Sequence, residues 1–373
     1  MKITDVVDRI NGNVDRFTTE LEYYIGGEHF ESNELEVTQK GLLKENLGKL
    51  GFKFHFAFQD RDVVFMARNP HLRKAGMVRF AGLCSDASYI LRSKDETVLS
   101  QEYLAVMLQS DHFWDYCESH KVGSVNFANN WSSIANYEFE LPTPEEQKEI
   151  SDKVWAAYRL KKSYKKLLAA TEEMVKSQFI EMFGGGNWPQ KTLGEVGSFT
   201  RGGGFQKSDF VEHGIPCIHY GQIHTKFGPF ITSHITEISS DLESKTKFAS
   251  KGDLVIAITS EDTEGSCKST AWLGDYSVAV GGHAAIYKHS MNPLYMSFFF
   301  KSTLFNHAKI EYVHGTKVFE IKPDDIAKIL VPCPPMNLQN QFSAIAEQAD
   351  KSGFELRKSI DAIDAVIKSL INS

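Results

Sequence analysis

Apolar residues near the end of the chain recur at alternating steps of four and three, which is the spacing of a coiled-coil stripe. This stripe consists of Phe342, Ala346, Ala349, Gly353, Leu356, Ile360, Ile363, Ile367 and Leu370. An earlier stripe in the same register consists of Ile150, Val154, Ala157, Lys161, Tyr164, Leu168, Thr171, Val175 and Gln178. Each stripe spans about four heptads, so the pattern predicts two long helices that pack on each other. The alternative is that each helix packs separately on its own domain.

An internal repeat relates the two predicted helices. When residues 103–178 are placed on residues 295–370 without a gap, fifteen positions are identical, among them Ser110/Ser302 and Gln147/Gln339. Many of the other positions keep their apolar character. A repeat of this length predicts a duplicated unit, related by a pseudo-twofold.

Prolines mark where each predicted helix begins. Phe139–Pro142 and Val331–Pro334 are short strand patterns stopped by proline, which suits a first helical turn but not a helix interior. The clearest linker is Gly184–Pro189. The predicted organisation is a first domain at 1–142, a long helix at 143–183, a glycine-rich linker at 184–187, a second domain at 188–334 and a C-terminal long helix at 335–373.

Both domains show mixed helical and strand patterns, so the predicted fold class is α+β: two mixed α/β domains separated by two long antiparallel coiled-coil helices. Phe52–Phe58 alternates strictly, which predicts a strand with all four phenylalanines facing the core. Val63–Met66 and Leu254–Ile258 have the composition of buried strands. One helix is expected around 101–118, with a counterpart around 294–309.

Composition limits the classes of protein that are compatible with this sequence. The net charge is −7, and no segment forms a basic arm, so any nucleic-acid contact must use local patches, with a partner neutralising many phosphates. The five cysteines are scattered and lack a C-x-x-C pair, which argues against structural zinc or a disulfide framework. The N-terminal residues lack a signal-peptide pattern, and we expect a cytoplasmic protein without a membrane segment.

The loops that follow the two buried strands differ in chemistry. The first, Arg68–Lys74, is cationic and carries an amide, whereas residues 259–268 are mostly polar or acidic. Arginine and lysine suit guanine edges and phosphates, Asn and Gln suit adenine, and acidic side chains can accept from cytosine. A shared frame with divergent loops is therefore typical of a protein that reads two short DNA sequences, although any single loop residue can simply be solvated.

The start of the second domain offers further candidates. Thr200–Lys207 contains three glycines flanked by cations but lacks the spacing of a P-loop or a dinucleotide fingerprint. Gln222 is the favoured base-edge contact; a metal site at the nearby histidines is the alternative, but they lack helix-spaced ligands. The candidate DNA-binding residues are Arg68, Asn69, His71, Arg73, Lys74, Arg201, Lys207, His219, Tyr220, Gln222, Ser260 and Lys317.

Taken in their order, several segments resemble the specificity subunits of type I restriction-modification systems, over nearly the whole chain. The segments are the two proline-glutamine helix starts, Leu141–Ile150 and Pro334–Phe342, then Leu193–Val196 with Arg201–Gly202, Ile215–Ile223, and Arg68–Lys74 with Cys84–Ser85. Two departures are that the second helix start lacks the acidic pair of the first, and that Gly353 interrupts its stripe.

The resemblance implies a non-catalytic, DNA-binding subunit in which each domain reads one half of a split double-stranded target. The helices would set the spacer between the halves and dock two methyltransferase subunits, through which restriction and motor subunits attach. S-adenosylmethionine, ATP and magnesium would be bound by those partners, with no cofactor or metal in this chain.

Two other functions compete with this interpretation. One is a stand-alone enzyme acting on nucleic acid, but Asn69–Leu72 lacks the second proline and the aromatic residue of an adenine-methyltransferase motif, and no E-x-K follows Pro323–Asp324. The other is a coiled-coil scaffold whose domains bind protein.

Overall fold

The computed structural model describes residues 1–315 and 317–372, so Thr316 and Ser373 lie outside the described residues. The described part of the chain divides into two compact units. Unit 1 comprises Met1–Lys166 with Arg357–Ser373, and unit 2 comprises Leu167–Leu356. Each unit therefore holds one α/β domain and a part of both long helices.

The domain of unit 1 is built from short strands and helices. The strands are β1 (Val7–Ile10), β2 (Tyr23–Ile25), β3 (Glu36–Val37), β4 (Gly41–Leu42), β5 (Phe54–Phe58), β6 (Val63–Met66), β7 (Ala75–Val78), β8 (Gly82–Ser85) and β9 (Ser88–Ser93). The helices are α1 (Ile3–Val6), α2 (Leu43–Asn46), α3 (Gln101–Met107), α4 (Asp111–Ser119) and α5 (Trp131–Ala135), followed by the long helix α6 (Pro144–Phe183). As described, the strands form the sheets β1-β9-β6-β7-β3 and β4-β2-β8-β5.

The domain of unit 2 follows the same plan. Its strands are β10 (Gln190–Thr192), β11 (Gly197–Arg201), β12 (Phe210–Val211), β13 (Ile215–Ile218), β14 (Phe230–Ile231), β15 (Thr236–Ile238), β16 (Lys247–Ala249), β17 (Leu254–Ala257), β18 (Thr259–Ser260), β19 (Ser269–Trp272), β20 (Val278–Val280), β21 (Ala284–His289), β22 (Phe319–Glu320) and β23 (Leu330–Pro332). Its helices are α7 (Leu193–Val196), α8 (Tyr220–Thr225), α9 (Pro293–Phe299), α10 (Thr303–Lys309) and α11 (Pro323–Ile326), followed by the long helix α12 (Met336–Ile371). Within the described residues, the larger sheets are β11-β21-β17-β19-β14 and β12-β15-β13-β20-β16.

The two domains share one topology. Sheet β1-β9-β6-β7-β3 corresponds strand by strand to β11-β21-β17-β19-β14, and β4-β2-β8-β5 corresponds to β15-β13-β20-β16. The directions also match: β3 and β14 pair in parallel with β7 and β19, and β2 and β13 pair in parallel with β8 and β20. The duplication therefore extends through the sheets, well beyond the repeat that sequence identity reveals.

One pair of identical residues, Gly123 and Gly315, is explained by the backbone conformation of two equivalent turns. Gly123 and Gly315 both adopt positive φ, 108° and 142°, in turns closed by the Val122–Ala128 and His314–Glu320 bridges. A side chain in this region of φ is strained, so both turns favour glycine.

The prediction of two long paired helices is confirmed, and they contain 40 and 36 residues. In unit 1, Val154 near the start of α6 shares a buried core with Ile367 near the end of α12. In unit 2, Phe183 at the end of α6 lies 5.8 Å, ring to ring, from Phe342 near the start of α12. The helices therefore run antiparallel, and every position of both predicted stripes is buried or half-buried.

Two details of the predicted domains are wrong. Phe52 is 81% exposed, because the strand begins only at Phe54, after a turn, and shifts register between Phe54 and Phe56. The single helices expected at 101–118 and 294–309 are each two helices. The hydroxyls of Ser110 and Ser302 accept hydrogen bonds from Phe113 and Phe305, and so cap the second helix of each pair.

Candidate nucleic-acid interface

The loop that leaves the central strand β6 presents three of the predicted side chains to solvent. Arg68, Asn69 and His71 are exposed, and their side chains make no hydrogen bond or ion pair with the described residues. The buried ring of Pro70 and the left-handed backbone of Asn69 (φ 53°) fix the shape of the loop. These three side chains are free to contact an external partner.

The other two cations of this loop are used inside unit 1. Arg73 Nη1 donates to Asp111 Oδ1 at 2.5 Å, and this guanidinium holds the pKa of Asp111 below its ordinary value. Lys74 Nζ donates to the carbonyl oxygen of Gly27 at 2.6 Å. Both side chains are half-buried and tie the loop to its domain, so a DNA contact by either would require these bonds to break.

The glycine-rich segment of unit 2 is explained by its packing. A side chain on Gly202 would collide with the carbonyl oxygens of Val280 and Gly281, so the backbones approach too closely for other residues. Arg201 is exposed; its Nε donates to Gly282 O at 2.9 Å and its Nη2 lies 3.3 Å from Glu320 Oε1. Lys207 is exposed and makes no side-chain hydrogen bond or ion pair within the described part of the chain.

Helix α8 contains the predicted base-edge residue, and the structure turns that residue inward. Gln222 is 3% exposed; its Oε1 accepts from His219 N at 3.0 Å, and its Nε2 donates to Thr236 Oγ1 at 2.9 Å. The side chain therefore caps the start of α8, and a base contact by it would require both bonds to break. His219 is half-buried, and burial lowers its pKa.

Tyr220 is the exposed aromatic residue of this helix. It is 41% exposed, and its ring lies 5.2 Å from His283 and 6.0 Å from His224. His283 comes from a loop more than sixty residues later, so no local pattern could have joined it to Tyr220. Among the described residues, no group of three or more His, Cys, Asp or Glu side chains is placed to hold a metal ion.

The last two candidates lie on neighbouring segments. Ser260 is 8% exposed and pairs through β18 with Phe319 of β22, whereas Lys317 is exposed two residues before that strand. Unit 1 contains the equivalent pairing, a bridge between Arg68 and Ala128. In each unit, the loop leaving the central strand therefore lies beside the turn that carries the positive-φ glycine.

Two further predictions concern disulfide bonds and membrane-spanning segments. All five cysteines are free thiols; four are buried and Cys333 is half-buried. No helix in the described part of the chain is long and apolar enough to cross a membrane.

Comparison of this chain with known proteins finds similar solved structures. No family model matches the sequence, and no curated protein matches it. A structure from work on complex assembly and conformational transition of the type I R-M system is 16% identical, with a TM-score of 0.58, covering 100% of this chain and 95% of its own. The type I restriction-modification system S subunit from M. genitalium is 12% identical, with a TM-score of 0.55, covering 100% and 94%. The chain therefore has the fold of type I restriction-modification S subunits.

Proposed function

We propose that this chain is the DNA-specificity subunit of a type I restriction-modification complex. The observation that carries the proposal is an S-subunit fold over the whole of this chain, in which two domains with the same core topology present chemically different loops at equivalent positions. Cationic, amide and acidic side chains prefer different base edges. Two such domains suit the two halves of a split target.

The long helices support a second part of the proposal, that they set the spacer and dock two methyltransferase subunits. At 1.5 Å per residue, they are about 60 Å and 54 Å long. Helix α6 also carries large apolar side chains that are about half exposed: Leu160, Leu167, Met174 and Ile180. Leu160, Leu167 and Met174 recur every seven residues, and such an apolar edge is typical of a surface that a partner covers.

The chain itself is proposed to be non-catalytic. Methyl transfer with S-adenosylmethionine would belong to the methyltransferase subunits, and ATP- and magnesium-dependent cleavage to restriction subunits attached through them. Double-stranded DNA is then the direct ligand of this chain.

Mapping of methylated adenines tests the proposal. The chain, expressed with its methyltransferase subunits, should produce one bipartite motif in genomic DNA. The double variant Arg68→Ala/Asn69→Gly, in which glycine tolerates the positive φ of residue 69, should change one half of that motif and leave the other half intact, whereas Lys44→Ala, exposed elsewhere in unit 1, should leave both unchanged. Methylation without a bipartite motif, or an Arg68/Asn69 effect on both halves, would contradict the assignment.

A further inference from the structure

A cavity in unit 2 concentrates positive charge. It has a volume of about 360 Å³, and its lining includes Lys176, Lys268, Lys301, Lys309 and His224. The lysines come from four separate places: α6, the loop before β19, the turn after α9 and the end of α10. Glu264 is the acidic side chain among the lining residues. This is a local excess of cations in a chain whose net charge is −7.

The protein neutralises part of this charge itself, since Lys176 Nζ lies 3.5 Å from Glu173 Oε2. Desolvation, and then the charges of Lys268 and Lys176, lower the pKa of Lys301 to about 8. The carboxylate of Glu172 acts in the opposite direction but does not restore the ordinary pKa of the lysine. An anion in the cavity would favour the charged form of Lys301.

Two buried polar groups also point to an anion. Lys309 is 3% exposed and donates to backbone carbonyls, those of Glu264 at 2.9 Å and Ser266 at 2.7 Å. Ser269, also 3% exposed, lines the cavity, and its Oγ has no hydrogen-bond partner among the described residues. An anion that accepts hydrogen bonds would stabilise both groups.

The repeat provides an internal comparison. In unit 1, Asp111 neutralises both Arg73, at 2.5 Å, and Lys368, at 3.6 Å. Lys368 corresponds to Lys176 in the repeat, and Asp111, the first residue of α4, corresponds to Thr303, the first residue of α10. Unit 2 therefore has a threonine at the position where unit 1 supplies its own carboxylate.

We propose that this cavity binds a phosphate group of the DNA backbone, an inference that rests on the proposed function. His224 connects the cavity to the candidate interface, because its ring lies 6.0 Å from that of the exposed Tyr220. Lys176 and Lys268 are exposed at the cavity, and Lys301 is exposed although the surrounding protein partly desolvates its ammonium group, so a phosphate on a duplex can reach all three. Such a contact positions the duplex without reading its sequence.

The test is the salt dependence of DNA binding by the full chain assembled with its methyltransferase subunits. The double variant Lys268→Gln/Lys301→Gln should bind target and non-target duplexes alike roughly tenfold more weakly at about 0.1 M salt. Its log-log salt slope should fall by about one for each phosphate that it no longer neutralises. Lys247→Gln, an exposed lysine of the same unit, should bind within about twofold of the wild type.

Thr303 gives a second, independent variant. Thr303→Asp restores the carboxylate that unit 1 carries, at a helix start where aspartate is well tolerated, and should reproduce the loss of affinity. Thr303→Asn, of the same size but neutral, should keep wild-type affinity. Unfolding midpoints of both variants check that each is folded.

The possible results of these experiments distinguish a failure of the cavity proposal from a failure of the proposed function. Wild-type affinity and salt slope in both the double-lysine and Thr303→Asp variants, with selective binding intact, would overturn the cavity proposal and leave the proposed function standing. Absence of selective DNA binding by the wild-type assembly would overturn the proposed function itself. Loss of inorganic phosphate binding in calorimetry, with unchanged DNA affinity, would also overturn the DNA-backbone assignment.

Discussion

Two buried glutamines explain the proline-glutamine helix starts. Gln147 Oε1 accepts from Ser100 N at 3.0 Å, and its Nε2 donates to the carbonyl oxygens of Val98 and Pro142 at 2.8 and 2.9 Å. Gln339 repeats the arrangement, accepting from Asn292 N at 2.9 Å and donating to Pro334 O at 2.8 Å. In each copy, one amide therefore joins the start of a long helix to the N-cap of a domain helix.

Replacing one of these glutamines should destabilise the protein. Gln339→Leu leaves a buried backbone donor and acceptor without partners, which should lower the free energy of unfolding by about 1–3 kcal/mol. Gln341→Leu, an exposed glutamine one half-turn later, should change it by less than about 0.5 kcal/mol. Urea denaturation measures both; equal effects would contradict the bridging role of Gln339.

The buried carboxylate of Glu34 makes the stability of unit 1 dependent on pH. Burial alone would raise its pKa, but hydrogen bonds from Lys165 (2.8 Å) and Lys161 (2.9 Å) bring the pKa below its ordinary value of 4.5. The unfolded chain then takes up the proton first as the pH falls, so this contribution is present above about pH 4.5 and is lost below it. Glu34→Gln should be less stable at pH 7 and should lose less stability between pH 7 and pH 3. Urea midpoints across that range check this, with Glu20→Gln as an exposed control; parallel curves for wild type and Glu34→Gln would refute it.

At the scale of elements, the long helices could be predicted because a heptad stripe is a local pattern. Burial follows that stripe even at Lys161, which pairs with Glu34 and with Asp364 of α12 at 2.6 Å. The strand at Phe52 could not be placed from alternation alone, since a turn and a register shift decide where β5 begins. The break at Ser110 depends on a cap, which competes with an otherwise continuous apolar pattern.

Shortening both helices together tests the proposed spacer role. Deleting one heptad from each, 163–169 and 356–362, keeps the register set by the Lys161–Asp364 pair on one side and the Phe183–Phe342 pair on the other. Seven residues correspond to roughly 10 Å, or about three base pairs. Methylation mapping should show the same half-targets with a spacer shorter by that amount. Altered half-targets would count against the spacer role.

The exposed apolar edge of α6 leads to a prediction about assembly. Leu167→Glu and Met174→Glu place charges where a partner helix or surface would exclude water, so co-purification of the methyltransferase subunits should fall at least about tenfold. Lys166→Glu changes the charge of a neighbouring exposed residue outside the apolar edge and should leave assembly nearly unchanged. Normal co-purification of the glutamate variants at 167 and 174 would place the docking surface elsewhere.

At the scale of the whole molecule, the duplication is visible in the sequence only where residues are still identical. The shared sheet order of the two domains is carried by strands such as β7 and β19, which are buried at all four positions but share no identical residue at equivalent positions. The candidate interface was harder to predict, because exposure depends on the tertiary partners of each side chain. Arg73 and Gln222 are satisfied internally, whereas the cationic cavity draws its lysines from positions 176, 268, 301 and 309, which share no local motif.

The charge of the whole chain decides how it should behave without partners. A net charge of −7 repels a polyanion at a distance, and the cations of the candidate interface are few and local. The isolated chain should therefore bind duplex DNA weakly, and addition of methyltransferase subunits should raise both the affinity and the ratio of target to non-target binding by at least about tenfold. Fluorescence anisotropy at fixed ionic strength, with and without the partner subunits, measures both quantities. Tight, sequence-selective binding by the chain alone would show that its local patches outweigh the overall repulsion, and that the partners are not needed to neutralise the phosphates.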